Sequence, residues 1–262
     1  MNKNYYFNEA VLYKMGLRSK YRELAFLGKP SVRCLKAHNS SYFETHLKRF
    51  MDDKAEFNIY HSVSTLFNMP QFTYNIVQRI KDQQVFFRNY NEYVIGYDLV
   101  FDFDSPNLRK AFDDCCVLRA FFLDNGVRCE MIFSGSKGFH LEIKGLPEVK
   151  GEDFISRVQL FRLFAERIKA LYCLTTLDLA VYDYARIWKL PYSIDYRTNL
   201  VVLPLSESEV LLLANADDIK REITNLCNPE RVLSEIRSRM DFYFVGVDNG
   251  KIFKLIKEVL QK

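Results

Sequence analysis

Three places in this sequence gather side chains that can handle phosphate or divalent cations. The first is Asp102 with Asp104, at the end of the run Leu99-Val100-Phe101-Asp102-Phe103-Asp104. Two residues apart on a strand, these carboxylates share one face, with Cα atoms roughly 7 Å apart. Acids so spaced can hold neighbouring divalent ions about 4 Å apart, the arrangement that serves in-line phosphoryl transfer. Aspartates also close strands as plain turn residues. An apolar strand ending in two acids on one face, however, repels itself unless something positive sits there.

The second place is Ser134-Gly135-Ser136-Lys137-Gly138-Phe139-His140. Two glycines permit a tight turn that brings amide N–H groups toward an anion. Ser134, Ser136 and Lys137 add donors, and His140 returns on a strand. The same residues would also serve an ordinary hairpin turn. The third place runs from Asp178 through Asp183, Arg186, Lys189, Asp195, Arg197 and Thr198. An acid there can complete a metal site, and the cations after it can clamp a triphosphate, arginine as a fork and lysine as a point charge. Taken alone, such a charged irregular segment is what a solvated surface looks like.

The elements that must position these groups can be read from periodicity. Residues 93–104 alternate, Leu99, Phe101 and Phe103 against Val100, Asp102 and Asp104, which predicts one strand with its acids at the end. An amphipathic helix fits 108–125 through Leu108, Ala111, Phe112, Cys115, Leu118 and Phe122, with Gly126 as its stop. A strand over 127–133, the turn, and a strand over 139–143 make a β-hairpin. A long helix fits 154–173, an irregular segment leads to Lys189-Leu190-Pro191, and 200–205 reads as a short strand. Residues 206–262 read as mainly helical, with Pro229 where a helix would begin. The first ninety residues mix a helical pattern over 41–51 with an alternating run at Phe57, Ile59, His61 and Val63, an α/β wrap. No repeat, low-complexity tract or Gly/Ser/Pro linker divides the chain, so a single domain over 1–262 is expected.

Composition bounds the rest. With 262 residues, 48% of them hydrophobic, a sizeable core can form. No run approaches the roughly 18 apolar residues of a membrane span, and the first residues lack the apolar stretch of a signal peptide, so a cytoplasmic protein is expected. A net charge of +4 is too mild to announce nucleic acid by itself. Cys34, Cys115, Cys116, Cys129, Cys173 and Cys227 lack paired zinc-ribbon spacing. The adjacent thiols of Cys115 and Cys116, on a helical pattern, make a poor tetrahedral set with Cys129, and zinc is not expected.

In order, LVFDFD, SGSKGFH and LDLAVYDYARIWKLPYSIDYRTNL resemble the three motifs of the archaeo-eukaryotic primase superfamily. Those motifs are an hhDhD strand, an SGxxGxH hairpin, and an hD segment followed by a basic stretch ending in P-x-S-h-H-x-K-T-G. The joint match is far more specific than any one piece. Arg22-Glu23 before an aromatic, and the run IYHSVSTLFNMP, are similar to primase small subunits, so the likeness spans about residues 5–205.

This resemblance implies an α+β core of two small α/β units, one resembling an RNA-recognition-motif sheet, with the active site between them and a helical C-terminal decoration. It implies Asp102, Asp104 and Asp178 as ligands of two Mg²⁺ or Mn²⁺ ions. It further implies that Ser134, Ser136, Lys137, His140, Arg186, Lys189, Asp195 and Arg197 surround the incoming nucleoside triphosphate. The implied activity is that of a DNA primase or DNA-directed polymerase acting on a DNA template. A large primase subunit, or other replication or CRISPR proteins, would be its protein partners. Asp195 departs from the pattern, standing where the family has a phosphate-contacting histidine. A carboxylate at the pocket must pair with a cation such as Lys189 or Arg197. Asn199 replaces a glycine, and asparagine tolerates the left-handed conformation. The zinc knuckle of many primase small subunits is reduced to the helix bearing Cys115 and Cys116, a compact form known from plasmid, phage-like and CRISPR-associated settings. Competing readings are a noncatalytic single-strand-binding module of the same fold and a DxD glycosyltransferase. The latter would leave SGSKGFH and the Lys189 segment unexplained.

Overall fold

The computed structural model of the chain describes residues 3–29, 31–37, 40–51, 56–70, 72, 76–144, 146–149, 151–239 and 251–261. The N-terminal part holds helices α1 (Lys3–Tyr6) and α2 (Glu9–Ser19), strands β1 (Arg22–Lys29) and β2 (Val32–Ala37), and helix α3 (Ser40–Phe50). After these come β3 (Glu56–Ser62), β4 (Ser64–Leu66), α4 (Ile76–Arg88) and α5 (Tyr90–Tyr93). The centre holds β5 (Val94–Tyr97), β6 (Leu99–Asp104), α6 (Leu108–Asp124), β7 (Glu130–Phe133), β8 (Gly138–Ile143) and α7 (Glu152–Tyr172). It continues with β9 (Leu177–Asp178), a 3₁₀ turn (Leu179–Val181), β10 (Ile187–Lys189) and β11 (Leu203–Pro204). Helices α8 (Glu207–Ala214), α9 (Ile219–Leu226), α10 (Pro229–Glu235) and α11 (Lys251–Leu260) follow, the mainly helical end that the sequence predicts.

Among the described residues, β10-β3-β1-β2 form a four-stranded sheet, β11-β7-β8-β6-β9 a five-stranded one, and β4-β5 a separate ribbon. Two α/β units therefore stand side by side, as expected. In the five-stranded sheet the antiparallel register sets Asp102 opposite Asp178 on one side and opposite His140 on the other. Directly opposed residues of an antiparallel pair share a face, so one row across the sheet carries a residue from each of the three motifs. Phe101, Phe103 and Phe139, on the other face, are fully buried. Ring contacts Phe101–Phe122 (5.5 Å) and Phe112–Phe139 (5.4 Å) seat α6 there, and Phe101–Phe164 (6.3 Å) seats α7. The phenylalanines thereby fix which way the acids point.

Several boundaries differ from the expectations. The stretch expected as one strand over 93–104 holds two, β5 and β6: β5 pairs with β4, while β6 belongs to the five-stranded sheet. The joint is Asp98, whose carboxylate receives Arg22 at 2.6 Å while the same guanidinium donates to the Ser62 and Val63 carbonyls. Tyr97, Leu99, Phe101 and Phe103 are all buried, so the period of two runs unbroken across the joint and cannot reveal it. The segment expected to be irregular before Lys189 holds β10, which joins β3 at the edge of the other sheet. Three residues are too few for a periodic pattern, and the partner strand lies far away in sequence. The strand expected over 200–205 contracts to β11, plus a single bridge between Val201 and Ile194. That expected over 127–133 begins only at Glu130.

The C-terminal helices are locally specified. Ser206 and Glu209 form a capping box on α8, Asp218 caps α9, and Asn228 caps α10 ahead of Pro229. Arg239 returns to Glu209 at 2.7 Å and to the Pro204 carbonyl at 2.9 Å, tying this part to β11. Phe253 of α11 lies 6.3 Å from Phe161 of α7. Among the described residues no helix is long and apolar enough to cross a membrane.

Candidate active site

A cleft of about 190 Å³ is lined by Asp102 and Asp104 of β6, by Ser134, Ser136 and Lys137 of the turn, and by His140 of β8. Its other wall is Tyr60 of β3, Arg186, the whole of β10, and Arg197. Of the residues read from sequence as site groups, Asp178 and Asp195 are the ones outside this lining. Asp178 lies one strand over from Asp102, and Asp195 lies behind the wall.

The carboxylates are crowded. Burial first, and then the charges of Asp104 and Asp178, raise Asp102 to about 7 against the lowering influence of Arg186 and Lys137. Its Oδ1 is buried with no hydrogen-bond partner among the described residues. Asp104 is met by the Lys137 ammonium at 2.9 Å, a hydrogen bond that raises the lysine's own pKa. Asp178 uses Oδ1 to accept the Ala180 N–H at 2.9 Å, capping the 3₁₀ turn. Strand β9 is placed by Thr176. Its N–H and hydroxyl donate to Asp114 Oδ2 of α6 at 2.8 and 2.9 Å, and its carbonyl accepts the Asp104 N–H at 3.1 Å. Among the described residues no three His, Cys, Asp or Glu side chains are drawn together as a metal-holding set. The donor type and the unsatisfied Asp102 oxygen nonetheless suit a divalent cation.

The turn is shaped by its glycines. Gly135 has φ +83°, a conformation costly for other residues. A Cβ on Gly138 would sit 2.1 Å from the Phe103 carbonyl oxygen and 2.4 Å from Asp104 Oδ1. Only glycine lets β8 start this close to the acid.

Opposite, β10 supplies Lys189, whose Nζ donates to the Ser134 carbonyl at 2.9 Å and pairs with Asp195. Asp195 is fully buried. Its Oδ1 accepts the Arg197 N–H at 2.9 Å and its Oδ2 receives the Arg197 guanidinium at 3.3 Å. Burial pushes Asp195 up, yet hydrogen bonds from Lys189 and Arg197 outweigh it and the pKa ends lowered. The departure from the motif is therefore neutralised by both cations that the sequence offered, and the carboxylate holds them from behind. Thr198 donates to the Gly135 carbonyl at 2.5 Å, and Asn199 adopts φ +57°, the left-handed conformation anticipated for it.

His140 is stacked on Trp188, with centroids 4.1 Å apart and planes 15° apart. Burial, chiefly, lowers it to about 4, Lys189 acting the same way against Glu142, so the ring is neutral near pH 7. Its Nε2 stands 3.7 Å from Asp102 Oδ1, beyond hydrogen-bond reach. Tyr60, Ile187 and Trp188 line the cleft without having been read from sequence. Trp188 could have been noticed as the single tryptophan of the chain, adjacent to Lys189. Tyr60 comes from a strand that only the fold brings near. None of the described cysteines lines the cleft: Cys115 and Cys116 lie on α6, and Cys115, Cys116, Cys129, Cys173 and Cys227 are free thiols. Cys34 carries a side chain outside the described set.

No protein-family model matches the chain, and no curated protein does. Among solved structures the chain is similar to the polymerase domain of Mycobacterium tuberculosis ligase D in complex with DNA, with TM-score 0.52, 12% identity and 91% of each chain covered. It is also similar to the AEP domain of the cyanophage S-2L primase-polymerase, with TM-score 0.43, 11% identity, 82% of this chain and 96% of that one covered. At these identities the likeness is one of fold. The chain has an α+β fold like that of the ligase D polymerase domain.

Proposed function

We propose that this chain is a template-dependent nucleotidyltransferase that makes primers or extends DNA or RNA from nucleoside triphosphates. The observation that supports this most is the row Asp178–Asp102–His140 across one sheet, facing Lys189 and Arg197 held by a hidden carboxylate. Acids on one wall and cations on the other suit a triphosphate whose reacting end meets divalent ions and whose tail meets lysine and arginine. The 190 Å³ cleft is smaller than the roughly 300–1,000 Å³ of pockets that enclose whole ligands. It suits the phosphate tail, with sugar and base lying outward against a template.

In the reaction a 3′-hydroxyl attacks the α-phosphate of the incoming nucleotide and pyrophosphate leaves. Two Mg²⁺ or Mn²⁺ ions would supply charge neutralisation and a more acidic hydroxyl, with Asp102, Asp104 and Asp178 as their holders. Lys189, Arg197 and Lys137 take charge on the β- and γ-phosphates, and Arg186 stands beside them. His140, being neutral, offers an N–H rather than a positive charge. Ser134 and Ser136 add hydroxyl donors. Catalysis is then positioning plus electrostatics. The fold of the ligase D polymerase domain, solved with DNA, supports a DNA template as the partner. The chain is read as one domain throughout.

The test is a gel assay with labelled nucleotides, a primed DNA template and Mn²⁺. Template-directed extension with pyrophosphate release is expected. Strand binding without incorporation would replace the enzyme by a binding module.

A further inference from the structure

We propose that Trp188 is a nucleotide-contacting residue, its indole N–H donating to a phosphate oxygen while its ring holds His140 in place. This rests on the nucleotidyltransferase reading of the same cleft.

Trp188 is 4% exposed, yet it lines the cleft. Its Nε1 has no hydrogen-bond partner among the described residues. An indole N–H is a donor only, and leaving a buried donor unmet is unfavourable enough that native interiors rarely do so. The same is true of Ser134 Oγ, His140 Nδ1 and Arg186 Nε, all on residues lining the same cleft. These unpaired groups, gathered in one small cavity, ask for a ligand rich in acceptors, while the unpaired Asp102 Oδ1 of the same cleft asks for a cation. A triphosphate has acceptor oxygens on every side and no donor to compete with these groups.

The fold explains why a tryptophan stands here. Residues 187–189 pair with β3 at the sheet edge, and Trp188 lies opposite His61. This places the indole against the face of β8, where it stacks on His140 at 4.1 Å and 15°. The imidazole cannot turn without losing that stack, so a side chain with no hydrogen bond of its own on Nδ1 is held ready by packing. Lys189, next in sequence, lines the same cleft and reaches Ser134 and Asp195. One short strand would thus present a cation and a neutral donor to the same ligand.

Trp188 is the only tryptophan in the chain, so its emission reports this site alone. Wild-type protein titrated with tripolyphosphate and Mg²⁺ should show a saturable change in that emission. Trp188→Phe keeps a stacking ring without the N–H and should bind tripolyphosphate about tenfold more weakly by calorimetry, the scale of one hydrogen bond to a charged group. Its KM for nucleotide should rise by a similar factor, the contact being lost in the bound state. Trp188→Ala removes the stack as well and should also lower kcat. Silent emission at saturation, or wild-type affinity in folded Trp188→Phe, overturns the proposal. If Trp188→Phe does not fold, the wild-type emission decides alone. A wild type that incorporates nucleotide while Trp188→Phe keeps its KM sinks only the tryptophan. A wild type that binds no tripolyphosphate and incorporates nothing sinks the function beneath it.

Discussion

The charge of Asp102 is opposed by burial and by two neighbouring acids, which hold its pKa near 7 against an ordinary 3.8. Between those values the folded protein keeps a proton that the unfolded chain has released. The stability that Asp102 contributes in the metal-free protein is therefore lost as pH rises from about 4 to about 7, against the buried His140, whose lowered pKa works the other way. Asp102→Asn cannot ionise and should escape this loss. With chelator present its Tm should exceed wild type by several degrees at pH 8, the gap closing near pH 4; equal melting at both ends would contradict the crowding. Asp195 presents the opposite case, a buried acid satisfied by Lys189 and Arg197. Asp195→Ala strands the mostly buried Lys189 ammonium, and breaking such a pair costs about 3 kcal/mol or more. Urea unfolding should show that loss, and KM for nucleotide should rise as the two cations drift. Unchanged values in both would make Asp195 a bystander.

Strand β9 spans only Leu177–Asp178, too little to hold itself in place. Its anchor is Thr176, bound to Asp114 of α6 through two hydrogen bonds. Asp114→Ala should loosen Asp178 and raise the Mn²⁺ concentration for half-maximal incorporation several-fold, with kcat at saturating Mn²⁺ largely restored. Loss of activity that no Mn²⁺ concentration recovers would assign Asp114 another task. The same scale shows what could be read from sequence. The acids, the turn and the flanking helices are legible because each is local: alternation in β6, two glycines before β8, Gly126 after α6. β10 is not legible, since three residues carry no period and its hydrogen bonds go to β3. The split at Asp98 is hidden for the opposite reason, an alternation that continues across a change of sheet.

At the scale of the molecule, the site exists only where two sheets meet. The five-stranded sheet brings the acids and His140, and the edge of the other brings Trp188 and Lys189. Most residues of the three motifs come together in the cleft because the residues of each motif stay adjacent in the fold. The motifs missed Tyr60 and Trp188 because lining by those residues is a consequence of docking. They put Asp195 among the nucleotide contacts, and its side chain is wholly buried and paired with Lys189 and Arg197. The central claim is that Asp102 and Asp104 carry nucleotide transfer, and its most direct measurement is incorporation by the Asp102→Ala/Asp104→Ala double variant. With labelled nucleotide, primed template and Mn²⁺, the account predicts extension in wild type and none in a double variant that melts at or above the wild-type temperature. Near-normal extension by that folded variant would contradict it.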